Sequence, residues 1–170
     1  VRKGFLGTHQ LNQELQAILN PPSQEKRERK HGERIFREGD KIMQIKNNYS
    51  LAWKVLNRYG YPLEEGEGVF NGDVGRIKQI NTKMRIVTVL FDDKRQVEYD
   101  YVALEELELA YAITIHKSQG TESPIVVIPL HSGPEILFSR NLLYTAVTRA
   151  KRYVVVIGDE AMVHKMVDND

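Results

Sequence analysis

Two short stretches carry the residue types best suited to chemistry. The first is YAITIHKSQGTE, residues 111–122. Read as a helix, it sets Thr114 and Ser118 one turn apart on one face, with Lys117 beside them. Two hydroxyls and an ammonium on one surface suit phosphate oxygens. Gly120 lets a backbone come close to a ligand, and Glu122 offers a carboxylate two residues on. An ordinary helix end uses the same residues, with Lys117 facing the dipole and Gly120 closing the last turn. The second stretch is NLLYTAVTRAKR, residues 141–152. Arg149 stands where a helix pattern stops and an apolar run starts. That position fits a cation at a helix C-terminus. It equally fits a guanidinium that reaches a phosphoryl group held by a neighbouring domain.

Several other chemistries have no support. The chain has no cysteine, which removes disulfides, thiolate metal sites and cysteine nucleophiles. The histidines His9, His31, His116, His131 and His164 show neither H-x-x-x-H nor H-E-x-x-H spacing, so no metal site is expected. Ser118 and Ser123 lack the strand-turn-helix context of a nucleophilic serine. No G-x-x-x-x-G-K-[ST] loop is present to cradle the β- and γ-phosphates of a nucleotide. Residues 87–93, VTVLFDD, imitate an apolar strand ending in metal-binding acids, but their place between two β runs predicts a hairpin turn. Trp53 and Tyr49 could stack a base, or pack under the segment around them.

Composition sets the frame for these residues. The 170 residues are 41% hydrophobic and 28% charged, which suits one folded domain with a small insert. Lys+Arg 24 against Asp+Glu 23 gives a net charge of +1, so any nucleic-acid binding has to come from a local patch. The longest apolar runs, 125–130 and 153–157, are too short to span a bilayer, and no membrane association is expected. Val1 opens the chain without a signal-peptide pattern, and the sequence reads as a piece of a longer, cytoplasmic protein.

The elements that must position the two stretches follow from periodicity. Leu11, Leu15, Ile18 and Leu19 mark one face of a helix that Thr8 caps and Asn20-Pro21-Pro22 ends. Residues 24–37 interleave Lys26, Arg27, Arg29, Lys30, Arg34 and Arg37 with glutamates and read as a solvated loop, or else as a phosphate-binding patch. A strand is expected over 41–46, an irregular segment over 49–67, and three β runs at 74–80, 84–91 and 96–101 with tight links. Those three runs suggest a small barrel of about forty residues. Beyond it, a short helix over 110–119, apolar strands at 125–130 and 153–157, and helices starting near Ser139 and after Asp159 predict α/β architecture with a parallel sheet buried on both faces.

The order YAITIHKSQGTE, a buried strand, then LLYTAVTRAKRYVVVIGD resembles motifs V and VI of superfamily 1 helicases, closest to the RecD-like branch that includes the exodeoxyribonuclease V alpha subunit. GDKIMQIKNNY (39–49) and VFNGDVGRI (69–77) are similar to the same branch, where the latter opens an inserted SH3-like barrel. GFLGTHQLNQELQAILNP (4–21) resembles the segment with motif IV. The resemblance implies a RecA-like parallel lobe over residues 1–68 and 105–170, with the SH3-like barrel inserted at 69–104. It implies that Gln119, Gly120 and Glu122 line a nucleotide site, that Thr114, His116, Lys117 and Ser118 belong to the motif facing single-stranded DNA, and that Arg149 bridges to the γ-phosphate. His116 could instead turn toward the core from the far side of its helix.

Further expectations come with the same resemblance. ATP and Mg would be bound mainly by an upstream RecA-like lobe, so this segment alone would be inactive. The whole protein would be an ATP-dependent 5′–3′ DNA helicase acting in recombinational repair. Its partners would be single-stranded DNA, that upstream lobe, and other exodeoxyribonuclease V subunits in multi-subunit members. Two alternatives stay open: a non-catalytic DNA- or protein-binding scaffold, and the helicase half of a conjugative relaxase.

Overall fold

The computed structural model describes residues 7–130 and 138–169, so His131 and the first residues of the motif IV-like segment lie outside it. The chain divides into two compact units: residues 11–112, and residues 113–170 together with the first ten.

The first unit is built on antiparallel sheet. Helix α1 (Thr8–Leu19) is followed by a hairpin of β1 (Glu28–His31) and β2 (Arg34–Arg37). Seven further strands form one sheet in the order β5-β4-β8-β7-β6-β3-β9. They are β3 (Lys41–Gln44), β4 (Asn48–Leu56), β5 (Pro62–Val69), β6 (Val74–Asn81), β7 (Ile86–Phe91), β8 (Gln96–Asp100) and β9 (Leu107–Leu109). Alternation puts Val87, Val89 and Phe91 of β7, and Val97 and Tyr99 of β8, into the core with Phe36, Ile42 and Leu104. On β6 a register shift between Ile77 and Gln79 inserts one residue. Ile77 and Ile80 are therefore both buried, although an unbroken alternation would have placed Gln79 inside.

Several expectations change here. The expected barrel at 69–104 is too narrow, because β3, β4, β5 and β9 hydrogen-bond into the same sheet and the unit runs from 11 to 112. Residues 49–67 are a hairpin. Asn57 Oδ1 accepts from the Tyr59 and Tyr61 amides and closes its turn, and Trp53 lies across from Gly66. The segment 24–37 is likewise a hairpin whose basic side chains serve the fold. Arg37 pairs with Glu28 at 2.6 Å and donates to the Asn20 carbonyl, Arg29 stacks on Tyr101 at 4.0 Å, and Arg34 donates to the Leu107 carbonyl. Helix α1 reverses its expected faces. Ile18 and Leu19 are exposed, Leu11 and Leu15 are half-buried, and the buried stripe is Asn12, Gln16 and Asn20. Amides occupy it because backbone and carboxylate groups lie opposite, and a buried polar group must be paired.

The second unit holds β10 (Ser123–Leu130) and β11 (Ala150–Gly158), paired in parallel, with α2 (Arg140–Val147) and α3 (Glu160–Asp168). Ser139 caps α2 by accepting from Leu142 N, and Asp159 caps α3 by accepting from Ala161 N. Ile128, Leu130, Phe138, Ala146 and Met166 form its core. The two parallel strands agree with α/β organisation, and they are the two strands of this unit among the described residues. The expectation that both faces are buried fails: Ile125, Val127, Tyr153, Val155 and Ile157 are each about half exposed. Residues 110–119 are no regular helix. Three β-branched residues, Ile113, Thr114 and Ile115, precede only a 3-10 turn at His116–Ser118.

Candidate nucleic-acid and nucleotide site

Within the second unit, the residues singled out in the sequence gather around one turn. The Ser118 amide reaches the Thr114 carbonyl at 3.1 Å, and the Thr114 hydroxyl accepts from Lys117 N at 3.3 Å. Thr114, Lys117 and Ser118 thus stay within one turn of backbone even without a helix. Next, Gln119 at φ −59, ψ 131 and Gly120 at φ +81 are the two central residues of a type II turn from Ser118 to Thr121. A Cβ on Gly120 would meet nothing within 4 Å, so the left-handed φ, and not crowding, is what favours glycine there. The turn closes through Thr121 N on the Ser118 carbonyl at 3.0 Å, and the Thr121 hydroxyl donates to that same oxygen at 2.8 Å.

Arg149 follows the C-terminal end of α2 and reaches this turn. Its Nε donates to the Thr145 carbonyl at 3.2 Å, its Nη2 to Thr148 Oγ1 at 3.3 Å, and its Nη1 to the Thr121 carbonyl at 3.4 Å. All three acceptors are neutral, the bonds are long, and no carboxylate pairs with this guanidinium among the described residues. The Arg149 carbonyl also accepts from Ser123 N at 2.9 Å, so backbone and side chain together bracket residues 121–123. The arginine thus rests on the carbonyl end of α2 and reaches the carbonyl of Thr121 at the close of the Gly120 turn.

The remaining residues divide. Gln119, Gly120 and Glu122 are exposed. The Glu122 carboxylate pairs with Lys151 at 3.0 Å with both side chains more than half exposed, a pair of small energetic weight. His116 is exposed, while its neighbour Ile115 packs against the core. Trp53 packs against the sheet core, and Tyr49 is exposed with its ring edge-on to Phe70 at 5.6 Å. Residues 92–95 link β7 to β8 as a hairpin turn with Lys94 at φ +74. Thr121, Thr148 and Lys151 are the participants that spacing did not single out. Their signal was only adjacency to Gly120 and Arg149.

In the first unit, a buried carboxylate stands at the centre of a polar cluster. Asp40 is fully buried and accepts from Gln16 Nε2 at 2.6 Å, Asn20 Nδ2 at 2.8 Å, Arg37 N at 2.6 Å and the Tyr111 hydroxyl at 2.9 Å. Burial raises its pKa, against the pull of those four donors. The Tyr111 hydroxyl is pushed up to about 12 by burial and then by the Asp40 charge. One residue on, Asn12 grips Ala112 twice: Nδ2 donates to its carbonyl and Oδ1 accepts from its amide, both at 2.8 Å. The chain therefore leaves this unit for Ile113 with a fixed backbone direction.

Comparison with known proteins matches these two units to two families. The family described as ATP-dependent RecD-like DNA helicase SH3 domain matches residues 11–91, and UvrD-like helicase C-terminal domain matches residues 109–157. A relative named ATP-dependent RecD2 DNA helicase, from Deinococcus radiodurans, is 36% identical over 155 residues, 89% of this chain and 18% of that protein. The RecBCD enzyme subunit RecD of Mycobacterium tuberculosis is 38% identical over 102 residues, 60% of this chain and 17% of its own length. The chain thus spans less than a fifth of each relative. A solved structure from work on two coordinating Pif1 helicases at forked double-stranded DNA shares the fold. Its TM-score is 0.50 at 22% identity, covering 92% of this chain and 41% of that one.

Proposed function

The chain belongs to the RecD-like DNA helicases, and from that premise we propose that it is a motor segment of a longer ATP-dependent 5′–3′ helicase. In this reading the turn at Thr114–Ser118 holds the backbone of single-stranded DNA. Gln119, Gly120 and Glu122 line one side of a nucleotide, and Arg149 supplies its guanidinium to the terminal phosphoryl group. The β10–α2–β11–α3 unit is then one edge of a RecA-like parallel lobe, and the seven-stranded unit its SH3-like insert.

The observation that carries the reading is the state of Arg149. It rests on three neutral acceptors at 3.2–3.4 Å beside the Gly120 turn, and no carboxylate pairs with it among the described residues. A planar, permanently charged fork is suited to the equatorial oxygens of a phosphoryl group in transfer. ATP and Mg fit this site in part: the residues around Gly120 can meet a sugar and a phosphate. Among the described residues no three acidic or histidine side chains gather to hold a metal, and that task is assigned to an upstream lobe. The partners would be that lobe, single-stranded DNA and, in a multi-subunit enzyme, sister subunits. No described helix is long and apolar enough to cross a membrane, and a cytoplasmic site of action goes with the reading.

The test is ATP turnover by the longer polypeptide that carries this segment. Arg149→Ala is expected to lower kcat by about 10³ or more, the scale of comparable arginine fingers, while nucleotide affinity changes little. The isolated segment is expected to show no DNA-stimulated turnover. Near wild-type kcat in Arg149→Ala would overturn the role given to this arginine.

A further inference from the structure

The geometry points to Thr121 as a positioning residue that couples the DNA-facing turn to Arg149. This inference rests on the reading just given, in which the two sides contact DNA and nucleotide. Thr121 makes three bonds that run in two directions. Toward the DNA side, its amide and its hydroxyl both donate to the Ser118 carbonyl, at 3.0 and 2.8 Å. Toward the nucleotide side, its own carbonyl accepts from Arg149 Nη1 at 3.4 Å.

The two directions have different stiffness. On the Ser118 side, two donors on one oxygen fix the peptide of Thr121 against the turn. Ser118 is itself tied back to Ile115, its hydroxyl donating to that carbonyl at 2.6 Å. A rotation or shift of residues 117–118 under a DNA phosphate is therefore carried to Thr121 with little slack. On the Arg149 side the bond is long and its acceptor is an uncharged carbonyl, so an anionic phosphoryl group competes for the guanidinium at little cost. A stiff link in series with a weak one is a release: a moved turn shifts the acceptor away from Nη1 and frees the arginine. Gly120 lets the turn adopt this shape, and Thr121 locks it. Without the hydroxyl, a single amide bond holds the turn, and residue 121 follows the position of Ser118 less stiffly.

The experiment compares ATP turnover by the longer polypeptide with and without oligothymidylate in wild type, Thr121→Val, Thr121→Ser and Arg149→Ala. Valine keeps the branched shape and the backbone carbonyl but removes the hydroxyl bond to Ser118. The ratio of DNA-stimulated to DNA-free turnover is expected to fall about tenfold, within the usual range for coupling between two sites. Serine, which keeps the hydroxyl, is expected to restore the ratio. A wild-type ratio in Thr121→Val overturns the inference. So does an equal loss of turnover with and without DNA, or a loss that serine fails to rescue, because a purely structural role would give those results. Arg149→Ala separates the two levels. If it retains wild-type turnover, the reading of the site as a motor fails. If it is inactive while Thr121→Val is normal, only the coupling role fails.

Discussion

At the scale of single residues, a buried polar cluster ties α1 to the sheet unit. Asp40 gathers four donors from α1, β2 and Tyr111, and it decides which face of α1 is buried. The Tyr111 hydroxyl has a measurable consequence. Its folded value is raised from about 10 to about 12, so the stability it adds is complete below pH 10 and is lost as pH rises through about 12. Absorbance titration of the phenolates should show a step near pH 12 that Tyr111→Phe removes. The stability gap between wild type and that variant should stay constant up to about pH 10 and close above it. Ionisation of Tyr111 in the ordinary tyrosine range would mean that its bond to Asp40 does not form. None of this was legible in the sequence. An aspartate after a glycine reads as a turn, and the partners of Asp40 come from positions 16, 20, 37 and 111, which only the folded chain brings together. Thr114, Lys117, Gly120 and Arg149 were legible because their order and types are themselves the signal. The structure brings the turn at 114–121 to Arg149, through Thr121.

At the scale of elements, the three strands from 74 to 100 and the caps at Ser139 and Asp159 followed directly from alternation and capping chemistry. The hairpin of β4 and β5 did not, because PLEEGEGV has neither alternation nor β-branched residues until its last position. What makes it a strand is its neighbour. The Trp53 ring lies over Gly66 on the paired strand, and an added Cβ there would come within 2.5 Å of the ring. Gly66→Ala should therefore push the ring outward and cost about 1–3 kcal/mol in urea unfolding. Trp53 is the single tryptophan, so its emission should shift to the red in the same variant. An unchanged emission maximum would show that the ring does not depend on the missing side chain. The helix expected over 110–119 failed for a comparable reason: local periodicity cannot see that Asp40 and Asn12 hold residues 111 and 112 in a bend.

At the scale of the whole molecule, the two units differ in how well each is covered. Among the described residues, fourteen buried hydrophobic residues fill the core of the seven-stranded unit, against five in the other. Parallel sheets are ordinarily covered on both faces, and in this chain, which spans less than a fifth of its relatives, apolar side chains of β10 and β11 stand exposed. Hydrogen exchange on this chain alone should therefore release the amides of β10 and β11 well before those of β6, β7 and β8, since local stability follows buried apolar contact. Equal protection across the two sheets would show that the exposed strands are as stable as the covered ones. The sequence could announce an apolar strand, but burial is a property of the neighbours a strand has, and those are not written in the strand itself.

The outermost strand β5 carries a different consequence. Among the described strands only β4 pairs with it, and it carries Glu64, Glu65 and Glu67, with Pro62 at its start. Two copies meeting edge to edge would set carboxylate against carboxylate along the seam, at a cost that grows as salt is removed. The same acidic border that hid this strand from a propensity reading makes the open side of the sheet a poor template for a second molecule, and so guards against fibril growth from that side.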